Sequence, residues 1–123
     1  MKALRWEELP LEKINENITR QVIWGKKGTL ARLSFAKGTQ TTSHKHEAEQ
    51  HTCVVDGLLE FTIGDDKLLL KSGDILVVPA WVEHQALALE DTIVVDFFAP
   101  IREDWLRGDN GYDDPADDKL SAE

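Results

Sequence analysis

Between Thr29 and Pro100 the chain is cut into apolar runs of four to eight residues, often β-branched, by Asp56-Gly57, Gly64-Asp65-Asp66, Ser72-Gly73-Asp74 and Glu90-Asp91. Repeated at this spacing, such runs are strand and hairpin signals, and they predict an all-β sandwich or barrel. Pro79 closes Asp74-Ile-Leu-Val-Val78 where a strand should end, because proline donates no ladder hydrogen bond. Gly38 closes the Thr29–Ala36 run in the same way. No helix-period stripe competes in this region. Outside it, Trp6–Asn15 is expected as a short turn or helix and Thr19–Trp24 as an edge strand. Arg102–Leu106 is expected as one helical turn, and Gly108–Glu123, rich in Gly, Asp and Pro, as a loose terminal arm.

At 123 residues the chain is long enough for one core and too short for two, so residues 1–123 are read as one domain with its barrel at about 18–100. With 41% apolar and only 7% aromatic residues, that core should be aliphatic. The net charge of −9 is concentrated in an acidic arm, residues 103–123, with eight Asp or Glu against two Lys or Arg. Clustered basic residues are confined to Lys26-Lys27, which argues against nucleic acid as a partner. No stretch approaches the roughly 20 apolar residues that span a bilayer, and the N-terminus turns acidic where a signal peptide turns apolar. A cytoplasmic protein with no membrane partner is expected. The lone Cys53 suits a reducing compartment and reads as a core filler.

Three of the four histidines crowd into His44-Lys-His46-Glu-Ala-Glu-Gln50-His51. In an extended segment alternate side chains share a face, so His44, His46 and Gln50 point one way while His51 and Cys53 point the other. Two imidazoles at i and i+2 and an amide oxygen four residues on can converge on a cation if the chain is curved. A fourth ligand has to come from elsewhere, and the remaining histidine, His84, follows the strand end at Pro79 by five residues. Any single histidine is more often a surface residue than a ligand. That reading does not explain why all four gather at the ends of two apolar strands.

These residues carry a family resemblance. Gly38, five residues, His44-x-His46, three residues, Gln50, six residues, Gly57 resembles the first cupin motif, with Gln where most cupins have Glu. The second motif follows as Gly73, five residues, Pro79, one residue, Trp81, two residues, His84, three residues, Ala88. It departs from the family at Trp81, usually Gly, and at Ala88, frequently Asn. The resemblance implies a double-stranded β-helix, or jelly-roll barrel, with short irregular terminal arms. It also implies one divalent transition metal held by His44, His46, Gln50 and His84. A neutral Gln in place of Glu leaves the cation its full charge, which favours an anionic oxygen ligand such as a carboxylate. Nitrogen-rich ligation suits Zn²⁺, Ni²⁺, Fe²⁺ or Cu²⁺ without choosing among them, and the resemblance leaves Mn²⁺ open as well.

A second constellation lies in Asp96-Phe97-Phe98-Ala-Pro-Ile-Arg102. An aspartate inside the run Ile93–Phe98 is costly unless paired, functional or turned to solvent. If Leu89–Asp91 is a three-residue hairpin loop, His84 lies opposite Asp96 and both face the metal pocket, with Phe98 on the same wall and Arg102 at the mouth. The pattern Asp-x-Phe-x-x-x-Arg beside a Gln-containing site resembles the uronate-linearising cupins of pectin and alginate breakdown. The resemblance implies catalytic roles for Asp96, Phe98 and Arg102 and a small acidic sugar or keto acid as substrate, most simply a 4,5-unsaturated uronate converted to its keto form. An iron dioxygenase and a non-catalytic, metal-dependent sugar-binding or sensory protein are the competing readings; the first leaves the second constellation unexplained, and to the second the fold alone is indifferent. An exposed edge at Ile18–Trp24 with Trp24 beside it predicts a homodimer.

Overall fold

The computed structural model describes residues 1–108. Its strands are β1 Glu12–Asn15, β2 Ile18–Trp24, β3 Thr29–Phe35, β4 Glu49–Asp56, β5 Leu58–Ile63, β6 Asp66–Lys71, β7 Ile75–Val78, β8 His84–Ala88 and β9 Thr92–Ala99. A 3₁₀ turn at Trp6–Glu8 and the one-turn helix α1, Glu103–Leu106, flank them. The strands form a six-stranded antiparallel sheet, β1-β2-β3-β9-β4-β7, and a three-stranded one, β6-β5-β8. Ala31, Leu33, Val54 and Val94 of the larger sheet share one core with Leu59, Phe61, Ala86 and Ala88 of the smaller. No described helix is long and apolar enough to cross a membrane.

The expected alternation is what builds this barrel. Along β9, Thr92, Val94, Asp96 and Phe98 are buried while Ile93, Val95, Phe97 and Ala99 are less so, the two-residue period of a strand with one face on the core. In register, Thr29, Phe98, Gln50 and Val78 form one inward row across β3, β9, β4 and β7, and Ala31, Asp96, Thr52 and Leu76 form the next. Each fully buried Val, Leu or Phe on this face contributes about 1.5–3 kcal/mol by leaving water, and the alanines less. The same rows place three polar groups, Gln50, Thr52 and Asp96, side by side on the inner wall.

Two expectations about connectivity are corrected. Residues 89–91 do not form a hairpin loop, because β8 lies in the small sheet and β9 in the large one. His84 pairs with Ile63 and bridges to His44, whereas Asp96 pairs with Ala31 and Thr52. The crossing passes over Gly57, whose φ of +105° suits glycine and where a Cβ would stand 2.4 Å from the Asp91 carbonyl oxygen. Only a residue without a side chain lets the chain change sheets there. The second correction concerns β2, which is not an edge along its whole length: β1 pairs with Ile18–Arg20 and leaves only Gln21–Trp24 beyond it. Trp6–Asn15 accordingly splits into a 3₁₀ turn and a strand. The expected arm falls, past Gly108, outside the described residues.

The segment between β3 and β4 matters for the site. From Gly38 it runs antiparallel to β8, with the amides of Gly38, Thr41 and His44 donating to the carbonyls of Ala88, Ala86 and His84 at 2.7, 2.9 and 3.0 Å. It widens the small sheet by an irregular fourth strand.

Candidate metal centre

His44 and His46 lie on that irregular segment and not on a regular strand, so they converge by a different route from simple alternation. The bridge between His44 and His84, closed by amide hydrogen bonds of 3.0 and 2.9 Å, sets their rings 4.4 Å apart. His46 approaches from the turn that follows, its ring 4.9 Å from that of His84. One ligating atom from each of the three histidines lies within 4.8 Å of the others. Gln50 comes from the opposite sheet. His51, one residue on, turns outward against Phe97, as its parity requires.

Hydrogen bonding decides which ring nitrogen is available. Each Nδ1 sits 2.8 Å from a backbone carbonyl, of Thr42 for His44, Ala48 for His46 and Val82 for His84. A carbonyl only accepts, so each Nδ1 carries the proton and each Nε2 keeps a lone pair for the centre. The buried Nε2 of His84 has no hydrogen-bond partner among the described residues. The Gln50 amide is oriented by its Nε2 donating to Thr52 Oγ1 at 2.8 Å, which leaves Oε1 facing His46 Nε2 at 3.1 Å. Two lone pairs at that distance repel unless a cation lies between them. Ligand bonds of about 2.1 Å put neighbouring donor atoms about 3.0–3.4 Å apart, so the donor set fits a divalent metal.

The electrostatics agree. Burial pushes the His46 imidazole down to about 4, helped by the Arg102 charge, and burial with the His44 charge pushes His84 down to about 3. Both are neutral near pH 7 and need lose no proton to ligate. Phe61 stacks on the His84 ring at 5.8 Å, and Phe98 meets the His46 ring edge-on at 5.8 Å.

Asp96 is 3% exposed and lines a cavity of about 20 Å³ together with His44, Gln50, Thr52 and His84. This is room for about one water molecule. Asp96 and His84 thus share a wall although no strand pairing joins them. Arg102 opens instead on a second cavity, of about 290 Å³, shared with His46, Lys45, Trp81, Asp104 and Arg107. The four candidate ligands divide between the two spaces, His44, Gln50 and His84 lining the inner and His46 the outer.

Arg102 is 2% exposed, with its guanidinium 4.7 Å over the Phe98 ring and 4.5 Å over the Trp105 ring. Its Nε and Nη2 donate to Asp104 Oδ1 and Oδ2 at 2.9 and 2.6 Å, while Nη1 has no hydrogen-bond partner among the described residues. Burial alone would raise the Asp104 carboxyl, but the Arg102 hydrogen bonds and charge hold it below the usual range. Arg20 also lies over the Trp105 ring, at 4.2 Å, and is itself paired with Glu12 at 3.1 Å. Sequence reasoning missed Asp104 because residues two apart do not face each other on a helix. Arg102 is the N-cap, with φ −78° and ψ 78°, so its side chain is free of the helical direction and turns onto its neighbour.

Comparison with known proteins agrees with this geometry. The Cupin_2 family model, described as a cupin domain, matches residues 31–98. The pectin degradation protein KdgF of Dickeya dadantii (strain 3937) is 33% identical over 103 residues, covering 81% of this chain and 94% of that protein. The solved structure of KdgF from Halomonas sp. superposes with a TM-score of 0.80 at 30% identity, covering 85% of this chain and 98% of that one. An RmlC-like cupin from Shewanella frigidimarina NCIMB 400 gives 0.79 at 28% identity, covering 83% and 93%. The family model spans more than half of the sequence and both cupin motifs fold onto one histidine cluster, so the chain belongs to the cupin domain family.

Proposed function

We propose that this cupin, as a single unit, linearises a 4,5-unsaturated uronate, opening its ring and tautomerising the product to the keto form. The observation that carries the reading is a carboxylic acid, Asp96, on the wall of the same small cavity as His44, Gln50 and His84. Similarity to two KdgF proteins, one named for pectin degradation, supports the substrate class. His44, His46, Gln50 and His84 would hold a divalent cation, which would supply Lewis-acid polarisation of a substrate oxygen. Asp96 takes the proton of the anomeric hydroxyl through the one water the inner cavity admits, as the bond from that carbon to the ring oxygen breaks. The ring oxygen leaves as an enolate oxygen, and Asp96 returns the proton to the alkene carbon, which turns the enolate into a ketone with no net change in composition. Phe98 keeps bulk water from this proton path. Arg102 grips the substrate carboxylate through its end-on edge, Nη1 and the second hydrogen of Nη2, because Asp104 occupies the other edge.

Metal-loaded protein incubated with unsaturated mono-uronates should remove the absorbance of the conjugated alkene. Arg102→Ala should raise KM at least as much as it lowers kcat, since it removes a contact made before and during reaction. Absorbance that persists with every such uronate refutes the assignment.

The chain works as a homodimer in this reading. The part of β2 left uncovered by β1 ends at Trp24, which is 41% exposed, and a second copy paired across a two-fold axis protects both edges. Sedimentation at micromolar concentration should give twice the chain mass, and a monomer there rules the dimer out.

A further inference from the structure

Trp81 is the residue at which the second motif departs from glycine, and it is not absorbed by the reading above. Its φ is +62°, a left-handed conformation that no other non-glycine residue among those described adopts. A bulky side chain is strained there. Strain of this kind persists when burial compensates it or when function needs it. Burial does not, because Trp81 is 62% exposed.

What the conformation achieves is placement. The Trp81 amide donates to the carbonyl of His46 at 2.8 Å, which fastens the turn after β7 to the segment carrying the metal ligands. The indole then borders the outer cavity beside His46 and Arg102. At about 290 Å³ this cavity lies at the lower end of the roughly 300–1,000 Å³ range of small-ligand sites, whereas the inner one at about 20 Å³ cannot take a sugar ring. Of its acids, Asp104 is committed to Arg102 and Glu103 lies 3.9 Å from Arg107. Lys45 and Glu47 remain as polar groups for a carboxylate and hydroxyls. An exposed indole on the cavity wall, a buried guanidinium with one nitrogen lacking a partner among the described residues and a polar rim match a hexuronate. Its ring presents an apolar C–H face on one side and charge at its edge.

We infer that Trp81 is the stacking platform on which the sugar ring of the substrate rests in the outer cavity, and that it selects hexuronates over small keto acids that have no ring to stack. The inference rests on the uronate reading above.

Trp81→Gly relieves the backbone strain and removes the platform, Trp81→Leu keeps the bulk without the aromatic face, and Trp81→Phe keeps the face. With an unsaturated mono-uronate, the Gly and Leu variants should raise KM about tenfold with kcat within about twofold, and Phe should stay within about threefold of wild type. The Gly variant should melt no lower than wild type, which separates lost binding from lost folding. Wild-type KM in both Gly and Leu variants overturns the inference while leaving the proposed function standing. If wild type turns over no uronate, that function fails first, and an amide and indole NMR titration with saturated galacturonate decides the platform separately. A shift of the Trp81 indole N–H sustains it, and no shift at millimolar sugar overturns it.

Discussion

His84→Ala protein should retain less than about a hundredth of the wild-type affinity for divalent metal, and His46→Ala should do the same. The magnitude follows from how the centre is held. Each imidazole is oriented by a backbone carbonyl on its Nδ1, so its Nε2 is aimed before any ion arrives. Removing one ring forfeits a ligand without giving the remaining donors freedom to close the gap. His84 should be the more sensitive position, since its Nε2 is buried without a partner and its loss opens the packing against Phe61. His51→Ala is the control, because that ring leans on Phe97 outside the barrel. Elemental analysis after dialysis against trace metal measures all three. Full occupancy in either ligand variant removes that residue from the centre, and loss of metal in His51→Ala would contradict the inward and outward assignment along β4.

Asp96→Asn should keep fold and metal yet slow turnover of an unsaturated uronate by about 10²-fold or more, the scale of general acid–base catalysis. Asparagine has nearly the same shape, so the inward row Ala31, Asp96 and Thr52 can keep its packing. It can donate and accept hydrogen bonds but cannot exchange a proton. The expected signature is therefore a loss in kcat with an unchanged melting temperature and unchanged metal content. Normal turnover in this variant shows that the proton travels by another route. A parallel loss of metal would assign Asp96 to holding the ion.

The inner face of the barrel was readable because strand burial has a strict two-residue period. That period sorted Gln50 from His51 and placed Val94, Asp96 and Phe98 together. What the pattern could not carry was the destination of a short connection. Three residues at Leu89–Asp91 serve equally for a hairpin or for a crossing between sheets, and the deciding feature is the close passage over Gly57, a contact between positions 34 residues apart. β1 escaped notice because Glu12-Lys-Ile-Asn15 has a single apolar residue and draws its stability from pairing with β2. Of the site, the histidines were legible as a cluster but not their placement on an irregular segment. The Arg102 to Asp104 pair depends on a non-helical N-cap, and Trp81 was visible only as a departure from the motif.

The carbonyl-supported imidazoles have a consequence for charge balance. Neither the candidate ligands nor the groups orienting them bring a negative charge, and among the residues lining the inner cavity Asp96 is the sole acid. A divalent ion held there would bring two positive charges to a wall that carries one carboxyl group, in a space with room for about one water molecule. Such a centre would favour an anionic oxygen ligand over a neutral one, whatever the shape of the molecule that brings it.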